Sequence, residues 1–223
     1  MARTALAEKL ADEGLSLKDY RGIETVEVFS DTRDEIEAVR SSAAAYDLGW
    51  RSKLILTGND RVRWLNGMIT NNVRDLPLNR GVYSFVLNAQ GRILGDLYVY
   101  NRGDYLLVDT DRDQVDKIRE LFDKFIIMDE VEVEPIDEKL TAIGVAGPGA
   151  PEVLADITRQ HELFASGLEP LQVADLAWAN NFGYSVVRSD FSLVPAYELW
   201  LAREHVGRVW NRLTVAGAIR LGS

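Results

Sequence analysis

An acid and two phenols on one predicted strand are the residues of this chain best suited to chemistry. The strand is RILGDLYVY, residues 92–100. Successive side chains on a strand point to opposite faces, so Asp96, Tyr98 and Tyr100 share one face. The other face is apolar and suited to a core: Ile93, Gly95, Leu97 and Val99. The polar face can hold a flat, polar aromatic ligand, or it can be an ordinary solvated sheet face.

The composition predicts one large or two small folded domains, because 223 residues with 47% apolar content can bury a core. The formal net charge of -10 argues against binding nucleic acid or an anionic membrane, since both need clustered Lys and Arg. The chain has no Cys, which excludes disulfides, thiolate nucleophiles and cysteine metal sites. His161 and His205 are far apart in sequence, so we predict no metal centre.

Targeting signals are not evident in the sequence. No apolar run approaches the about 20 residues that a membrane-spanning helix requires. Residues 1–5 lack the apolar core of a signal peptide. These features predict a soluble, cytoplasmic protein.

Two helices are predicted before the first long strand. Residues 4–13 form the first, which Gly14 ends. The second begins near Asp31, where Thr32 and Glu35 have the spacing of a capping box. Its inward positions follow at helical period: Ile36, Val39 and Ala43.

The next segment, residues 46–136, predicts the element order βαβββαβ, with helices on one face of a sheet. Asn59 is expected to cap the first of its helices. Asp111 and Gln114 have the spacing of a capping box for the second. The apolar stripe of that second helix is Val115, Ile118, Phe122 and Phe125.

The remainder of the chain resembles a copy of this segment. KLILTG is echoed by AIGVAG, and YLLV by YELW, at nearly the same offset. Between the echoes, residues 171–178 and 184–188 are predicted to pair as a hairpin around Asn180 and Asn181. The alternative explanation is that βαβ-like units recur in any α+β protein.

We therefore predict an α+β fold of two related, ferredoxin-like βαβββαβ-type halves with mainly antiparallel sheets. The first half is expected to comprise residues 46–136. The second is expected to comprise residues 1–45 together with 137–223.

Three sequence runs resemble one protein family: ITNNV at 69–73, FVLNAQGRILGDLYVY at 85–100 and VAGPGAPEVL at 145–154. The family joins the glycine-cleavage T-protein (aminomethyltransferase) to the YgfZ-type folate-binding proteins. The resemblance spans about Ala44 to Leu221. Residues 188–201, RSDFSLVPAYELWL, match the family's R-T-G-Y-T-G-E-D-G-F-E-L segment in length and in a few positions.

The resemblance implies tetrahydrofolate binding in a central cavity between domains. It implies that Asp96, the second of two adjacent family acids, lies near the reactive folate nitrogens. Tyr100 matches a tyrosine of the family's strand, and Glu198 matches the glutamate that recognises the pterin ring. Phe191 stands at a family aromatic position, and Arg188 keeps the segment's leading basic residue.

The residue chemistry of Glu198 agrees with this role. The 2-amino-pyrimidinone edge of a pterin presents two parallel N–H donors, which a carboxylate can accept as charge-assisted hydrogen bonds. Trp200 shares the strand face of Glu198 and can pack against a flat ring. Without the resemblance, Glu198 would be interpreted as an exposed acid on a strand.

Departures from the T-protein pattern favour the YgfZ side of the family. Gly95 replaces the first of the paired acids, Asn72 replaces an acid, and Val194 with Pro195 replaces another acidic pair. Family members also continue past the segment that ends at Ser223 with a C-terminal β domain. The sequence is therefore interpreted as the N-terminal folate-binding portion, naturally short or incomplete.

Three functions follow as hypotheses. The first is a YgfZ-like, tetrahydrofolate-binding protein that supports iron–sulfur enzymes as its client proteins. The second is an aminomethyltransferase that takes its aminomethyl group from a lipoylated carrier protein, with Asp96 orienting the nucleophile or accepting a proton. The third is a non-catalytic interaction module without folate.

Overall fold

The computed structural model describes residues 2–161, 163–178, 182–190 and 193–222. The chain divides into two compact units. Unit 1 comprises Met1–Trp50 and Lys139–Ser223, and unit 2 comprises Arg51–Glu138.

The elements are numbered in chain order. The strands are β1 (Leu17–Tyr20), β2 (Ile23–Val26), β3 (Ala44–Asp47), β4 (Arg51–Thr57), β5 (Gly81–Leu87), β6 (Ile93–Asn101), β7 (Leu106–Asp111), β8 (Glu132–Pro135), β9 (Leu140–Ala146), β10 (Val173–Ala177), β11 (Gly183–Arg188), β12 (Ala196–Ala202) and β13 (Ile219–Leu221). The helices are α1 (Ala5–Lys9), α2 (Thr32–Ser41), α3 (Arg61–Met68), α4 (Arg112–Phe125), α5 (Ala150–Thr158), α6 (Leu163–Ser166) and α7 (Val206–Val215).

Unit 2 is a five-stranded sheet in the order β5-β6-β7-β4-β8, and each neighbouring pair is antiparallel. The predicted order βαβββαβ is confirmed. One sheet face packs on α3 and α4 through a core in which Leu65, Leu97 and Phe122 are fully buried. Phe125, predicted as part of the α4 stripe, is 46% exposed because the helix ends at that residue.

Unit 1 contains a six-stranded sheet in the order β10-β11-β12-β9-β3-β13, in which β13 and β3 pair in parallel. The predicted pairing of β10 with β11 is confirmed, while Asn180 and Asn181 lie outside the described residues. Residues of α1, α5 and α7 form the core with the sheet, and Leu154, Leu199 and Trp210 are buried there.

The two sheets share one topology. The path β9-α5-β10-β11-β12-α7-β13 repeats β4-α3-β5-β6-β7-α4-β8, apart from the short added helix α6. In both sheets the first strand of the path pairs with the fourth strand. Unit 1 differs because β3, from the beginning of the chain, occupies the place next to β9, and β13 lies one place farther out. The α+β prediction of two related halves is thereby confirmed.

Two predicted helix N-caps were wrong by one residue, while the predicted start of α2 near Asp31 is confirmed. The α3 helix begins at Arg61 with Asp60 as its N-cap, rather than Asn59. The α2 helix has Asp31 as its N-cap, whose carboxylate accepts a hydrogen bond from the Arg33 N–H, so Thr32 is already helical. Asp31 prevails because its side chain reaches the backbone donor two residues ahead.

The inward face of α2 also differs from the prediction. Ile36 is 47% exposed, whereas Glu35 is 3% exposed. The Glu35 carboxylate accepts hydrogen bonds from the backbone N–H groups of Phe29, Ser30 and Gly222. An acid with this many donors can replace an apolar side chain in the interior.

The helices of unit 1 and unit 2 are short. Along the described residues, we find none that is both long enough and apolar enough to cross a membrane.

Candidate functional site

The Asp96 carboxylate is held by two side chains of unit 2. The Tyr83 hydroxyl donates to Asp96 Oδ2 at 2.8 Å, and Gln114 Nε2 donates to Asp96 Oδ1 at 3.0 Å. Asp96 is half-buried on β6 and points away from the α3–α4 core. Two donors of this kind restrict the rotamer of a carboxylate, so Asp96 presents its oxygens in a defined direction.

Aromatic rings line the same sheet face. The ring centroids of Tyr83 and Tyr98 are 4.9 Å apart, and those of Tyr98 and Tyr100 are 6.4 Å apart in a stacked arrangement. Tyr100 is 2% exposed, and its ring lies over Gly81. A Cβ at Gly81 would come within 2.4 Å of that ring, so only glycine fits opposite Tyr100.

An ion-pair network that the sequence analysis did not identify lies on neighbouring strands. Arg51 Nε is 3.0 Å from Asp109 Oδ1, and Arg51 Nη1 is 2.9 Å from Asp111 Oδ1. Lys53 Nζ is 3.4 Å from the same Asp109 oxygen. The side chains of Lys53 and Asp109 are 3% and 1% exposed, so this network is buried and paired. The available signal was the alternation of basic residues on β4 and acidic residues on β7.

In unit 1, the Glu198 carboxylate accepts a hydrogen bond from Trp200 Nε1 at 2.7 Å. Gly144 on β9 pairs with Glu198 on one side and with Tyr46 on the other. A Cβ at Gly144 would meet the Tyr46 ring at 2.2 Å, so this glycine admits the ring. Burial raises the pKa of the Tyr46 phenol, and the nearby Glu198 charge raises it further, so Tyr46 stays protonated beside the carboxylate.

Two other candidate residues lie apart from Glu198. Arg188 pairs with Tyr197 and Val187 pairs with Glu198, so Arg188 and Glu198 lie on opposite faces of the sheet. The Arg188 guanidinium donates to the carbonyl oxygens of Leu168 and Ser166. Phe191 lies outside the described residues.

The structure changes the interpretation of Gly95, the glycine that stands where the family has the first of its paired acids. It precedes Asp96 on β6, so the two positions face opposite sides of the sheet. A Cβ at Gly95 would lie 2.9 Å from Gln114 Oε1 and 3.3 Å from Ile118 Cδ1 on α4. An acid at this position would point toward α4 rather than toward the face of Asp96, so Gly95 removes no carboxylate from that face.

Comparison with known proteins finds relatives along nearly the whole chain. An aminomethyltransferase from Bacillus subtilis (strain 168) is 26% identical over 219 residues, which cover 97% of this chain and 59% of that protein. An aminomethyltransferase from Thermotoga maritima is 27% identical over 216 residues, covering 96% of this chain and 58% of that protein. The chain therefore spans a little over half the length of the curated relatives it matches.

Solved structures share the fold. The glycine cleavage system aminomethyltransferase T from Bartonella henselae superposes with a TM-score of 0.83 at 17% identity, covering 98% of this chain and 58% of that chain. A chain of the heterotetrameric sarcosine oxidase from Corynebacterium sp. U-96 gives a TM-score of 0.62 at 13% identity, with coverage of 96% and 93%. The family model for the GCVT N-terminal domain matches residues 6–221. With sequence, topology and family model in agreement, this chain belongs to the GCVT N-terminal domain family of the glycine-cleavage T-protein.

Proposed function

We propose that this chain binds a reduced folate, with the Glu198 carboxylate accepting the N–H donors of the pterin edge. The observation that carries the proposal is the hydrogen bond from Trp200 Nε1 to Glu198 Oε2, at 2.7 Å. It fixes the orientation of an acid next to a large aromatic ring. A flat heterocycle with parallel donors needs both an acceptor pair and an apolar surface.

The chain belongs to the GCVT N-terminal domain family. This membership supports the same proposal, because the family resemblance implies folate binding. We assign Asp96 to the reactive nitrogens of the folate, as the family resemblance implies, because Tyr83 and Gln114 hold its carboxylate in place. Tyr100 contributes to the aromatic lining of the same sheet face. For Arg188 we propose a structural role instead, since its guanidinium already binds two backbone carbonyl oxygens.

The proposal is tested by measuring tetrahydrofolate affinity for the wild type, Glu198→Ala and Glu198→Gln. Glutamine keeps an oxygen for the Trp200 indole but replaces the second acceptor by a donor that opposes the pterin N–H groups. Both substitutions are expected to weaken binding about ten- to a hundredfold, equivalent to ~1.5–3 kcal/mol.

Asp175→Asn provides the matched control, because Asp175 is an exposed acid of the same sheet that accepts the Ser185 hydroxyl. Its affinity should equal that of the wild type. Equal binding by wild type and both Glu198 variants would remove Glu198 from the site. A wild type that binds no reduced folate would favour the non-catalytic interaction module.

A finer proposal places the chain on the YgfZ-like side of the family, where the folate-binding protein supports iron–sulfur enzymes as its clients. Its support is the sequence itself, in which Asn72, Val194 and Pro195 stand where the T-protein has acids. Fewer site acids are expected to weaken group transfer more than ligand binding.

Aminomethyl transfer from a lipoylated carrier protein is the second candidate function. The observation in its favour is the orientation of Gly95 toward Gln114 and Ile118 of α4. Because position 95 does not share the face of Asp96, the missing acid counts less against transfer chemistry than the sequence alone suggested. The curated relatives named above are aminomethyltransferases.

A further inference from the structure

We infer that Gln114 is a positioning residue for the Asp96 carboxylate, and that Gly95 is glycine because the Gln114 amide occupies the place of its side chain. This inference rests on the proposed role of Asp96 in reduced-folate binding. Its first support is a gap in the sheet. The β6–β7 ladder ends at the pair Tyr98 and Asp109. Asp96 lies two residues beyond this end along β6, so no residue of β7 pairs with it in the ladder.

Side chains replace the missing ladder at Asp96. The Asp96 backbone N–H donates to Gln114 Oε1 at 3.1 Å, and the Asp96 carbonyl oxygen accepts from Thr110 Oγ1 at 2.7 Å. Gln114 therefore uses its amide oxygen on the backbone and its amide nitrogen on the carboxylate of one residue. Two simultaneous bonds determine which way the amide is turned, so that Nε2 must point at Asp96 Oδ1.

The same amide connects Asp96 to the ion-pair network. Gln114 Nε2 is 3.4 Å from Asp111 Oδ2, and Asp111 is paired with Arg51 at 2.9 Å. Arg51 also lies over the Tyr98 ring, with its guanidinium carbon 5.5 Å from the ring centroid. The orientation of Asp96 is thereby tied to rigid, paired groups of β4 and β7 rather than to a free side chain.

Gly95 gives the steric half of the inference. A Cβ at this position would lie 2.9 Å from Gln114 Oε1, which is closer than real Cβ contacts allow. The contacted atom is the end of a flexible side chain, so an added methyl displaces the amide rather than the backbone. Gly95→Ala should therefore leave the fold intact and break the same two hydrogen bonds that Gln114→Met removes.

The experiment measures tetrahydrofolate affinity for Gln114→Met, Gly95→Ala, the double variant and Lys117→Met. Each single change at 95 or 114 should weaken binding about tenfold, as expected for loss of one hydrogen bond to a charged group. The double variant should bind tetrahydrofolate no more weakly than either single variant, because both changes remove the same Gln114–Asp96 interaction. Lys117→Met is the matched control, since Lys117 Nζ bonds the neighbouring Leu94 carbonyl from the same helix at 2.7 Å without touching Asp96.

A second readout separates positioning from a general structural effect. The amide proton resonance of Asp96 should move upfield in Gln114→Met and Gly95→Ala, because its hydrogen bond to Gln114 Oε1 is lost. It should not move in Lys117→Met. Resonances of unit 1 should be unchanged in all variants.

Failure of the inference and failure of the proposed function look different. Wild-type protein that binds no tetrahydrofolate, or Asp96→Ala that binds it normally, would overturn the proposed role of Asp96. Normal binding by Gln114→Met in a protein whose Asp96→Ala variant has lost binding would overturn the positioning role. An unmoved Asp96 amide resonance in Gln114→Met, or additive losses in the double variant, would overturn it as well.

Discussion

Asp47, the last residue of β3, is an acid that the fold encloses almost completely. It is 3% exposed, and its carboxylate accepts hydrogen bonds from the hydroxyls of Thr4 and Thr25 and from the Gly49 N–H. Thr4 is also the N-cap of α1, and its hydroxyl accepts from the Ala7 N–H. Asp47 thus ties the beginning of the chain to the sheet of unit 1. Burial raises the pKa of Asp47, and the hydrogen bonds offset this only in part.

The raised pKa predicts how stability depends on pH. The folded state binds the Asp47 proton more tightly than the unfolded chain does. The stabilisation that Asp47 contributes to the folded state is therefore complete below the pKa of Asp47 in the unfolded chain. It is lost as pH rises through the pKa of Asp47 in the folded state. Asp47→Asn removes this ionisation, so its free energy of unfolding should depend less on pH above about pH 4. Urea unfolding followed by tryptophan fluorescence at several pH values measures the difference. Asp12→Asn, a change of the same kind at an exposed acid, is the matched control.

At the scale of elements, both units use one device to turn from their first strand into their first helix. Gly58 follows β4 with φ of +96°, and Gly147 follows β9 with φ of +121°. Each glycine lies against a backbone carbonyl oxygen of the segment that leads into an adjacent strand. Gly58 lies against Glu130 O, and Gly147 lies against Ser42 O. Those carbonyls accept hydrogen bonds from the N–H two residues past each glycine, at Asp60 and Gly149. The repeated contact gives the sequence echo a structural cause.

Alanine at either glycine is expected to destabilise its unit. The added Cβ would lie 2.0 Å from Glu130 O or 2.3 Å from Ser42 O, and the positive φ disfavours any side chain. We expect losses of about 1–3 kcal/mol for Gly58→Ala and for Gly147→Ala, measured by chemical denaturation. Gly67 lies within α3 with no atom near its Cβ position, so Gly67→Ala should stabilise by about 0.5–1 kcal/mol. Equal effects at all three glycines would refute the close-contact explanation.

At the scale of the whole molecule, the two proposed functions differ in whether the protein catalyses a reaction: the YgfZ-like proposal requires folate binding alone, and aminomethyl transfer requires turnover of a substrate. The chain covers 58% of the solved aminomethyltransferase T and 59% of its Bacillus subtilis relative, so activities of those full-length proteins reach this chain only as proposals. Transfer to methylenetetrahydrofolate requires two folate nitrogens to form bonds to the lipoyl-bound aminomethyl carbon. The bonds of that carbon to its amine and to the lipoyl sulfur break, which releases ammonia and the reduced lipoyl thiol. A positioned carboxylate can orient an attacking nitrogen or accept its proton.

If the YgfZ-like proposal is right, the chain should bind tetrahydrofolate yet form no methylenetetrahydrofolate from an aminomethyl-loaded, lipoylated carrier protein. Product and ammonia are measured together, with a full-length aminomethyltransferase as the positive control. Asp96→Asn separates the alternatives, since it keeps the shape of the side chain but loses its charge. Product formation that Asp96→Asn abolishes would replace the YgfZ-like proposal by aminomethyl transfer.

Much of this architecture was determined by the sequence alone, through local patterns. Alternation along β6 placed Asp96, Tyr98 and Tyr100 on one face, and helical period identified the buried Val115, Ile118 and Phe122 of α4. The α+β class and the order βαβββαβ followed from these patterns, and sequence motifs identified the family. Each of these properties depends on residues a few positions apart, where the backbone repeat itself decides direction.

Only the tertiary structure decided which distant residues meet. The Gln114 amide, 18 residues away in sequence, replaces a strand partner of Asp96. Arg51 forms an ion pair with Asp109, which is 58 residues away in sequence. Strand register put Arg188 on the face opposite Glu198, and β3 entered the sheet between β9 and β13. Glu35 is buried because three backbone donors from separate segments converge on it. Such contacts arise from packing and register, which no local period encodes.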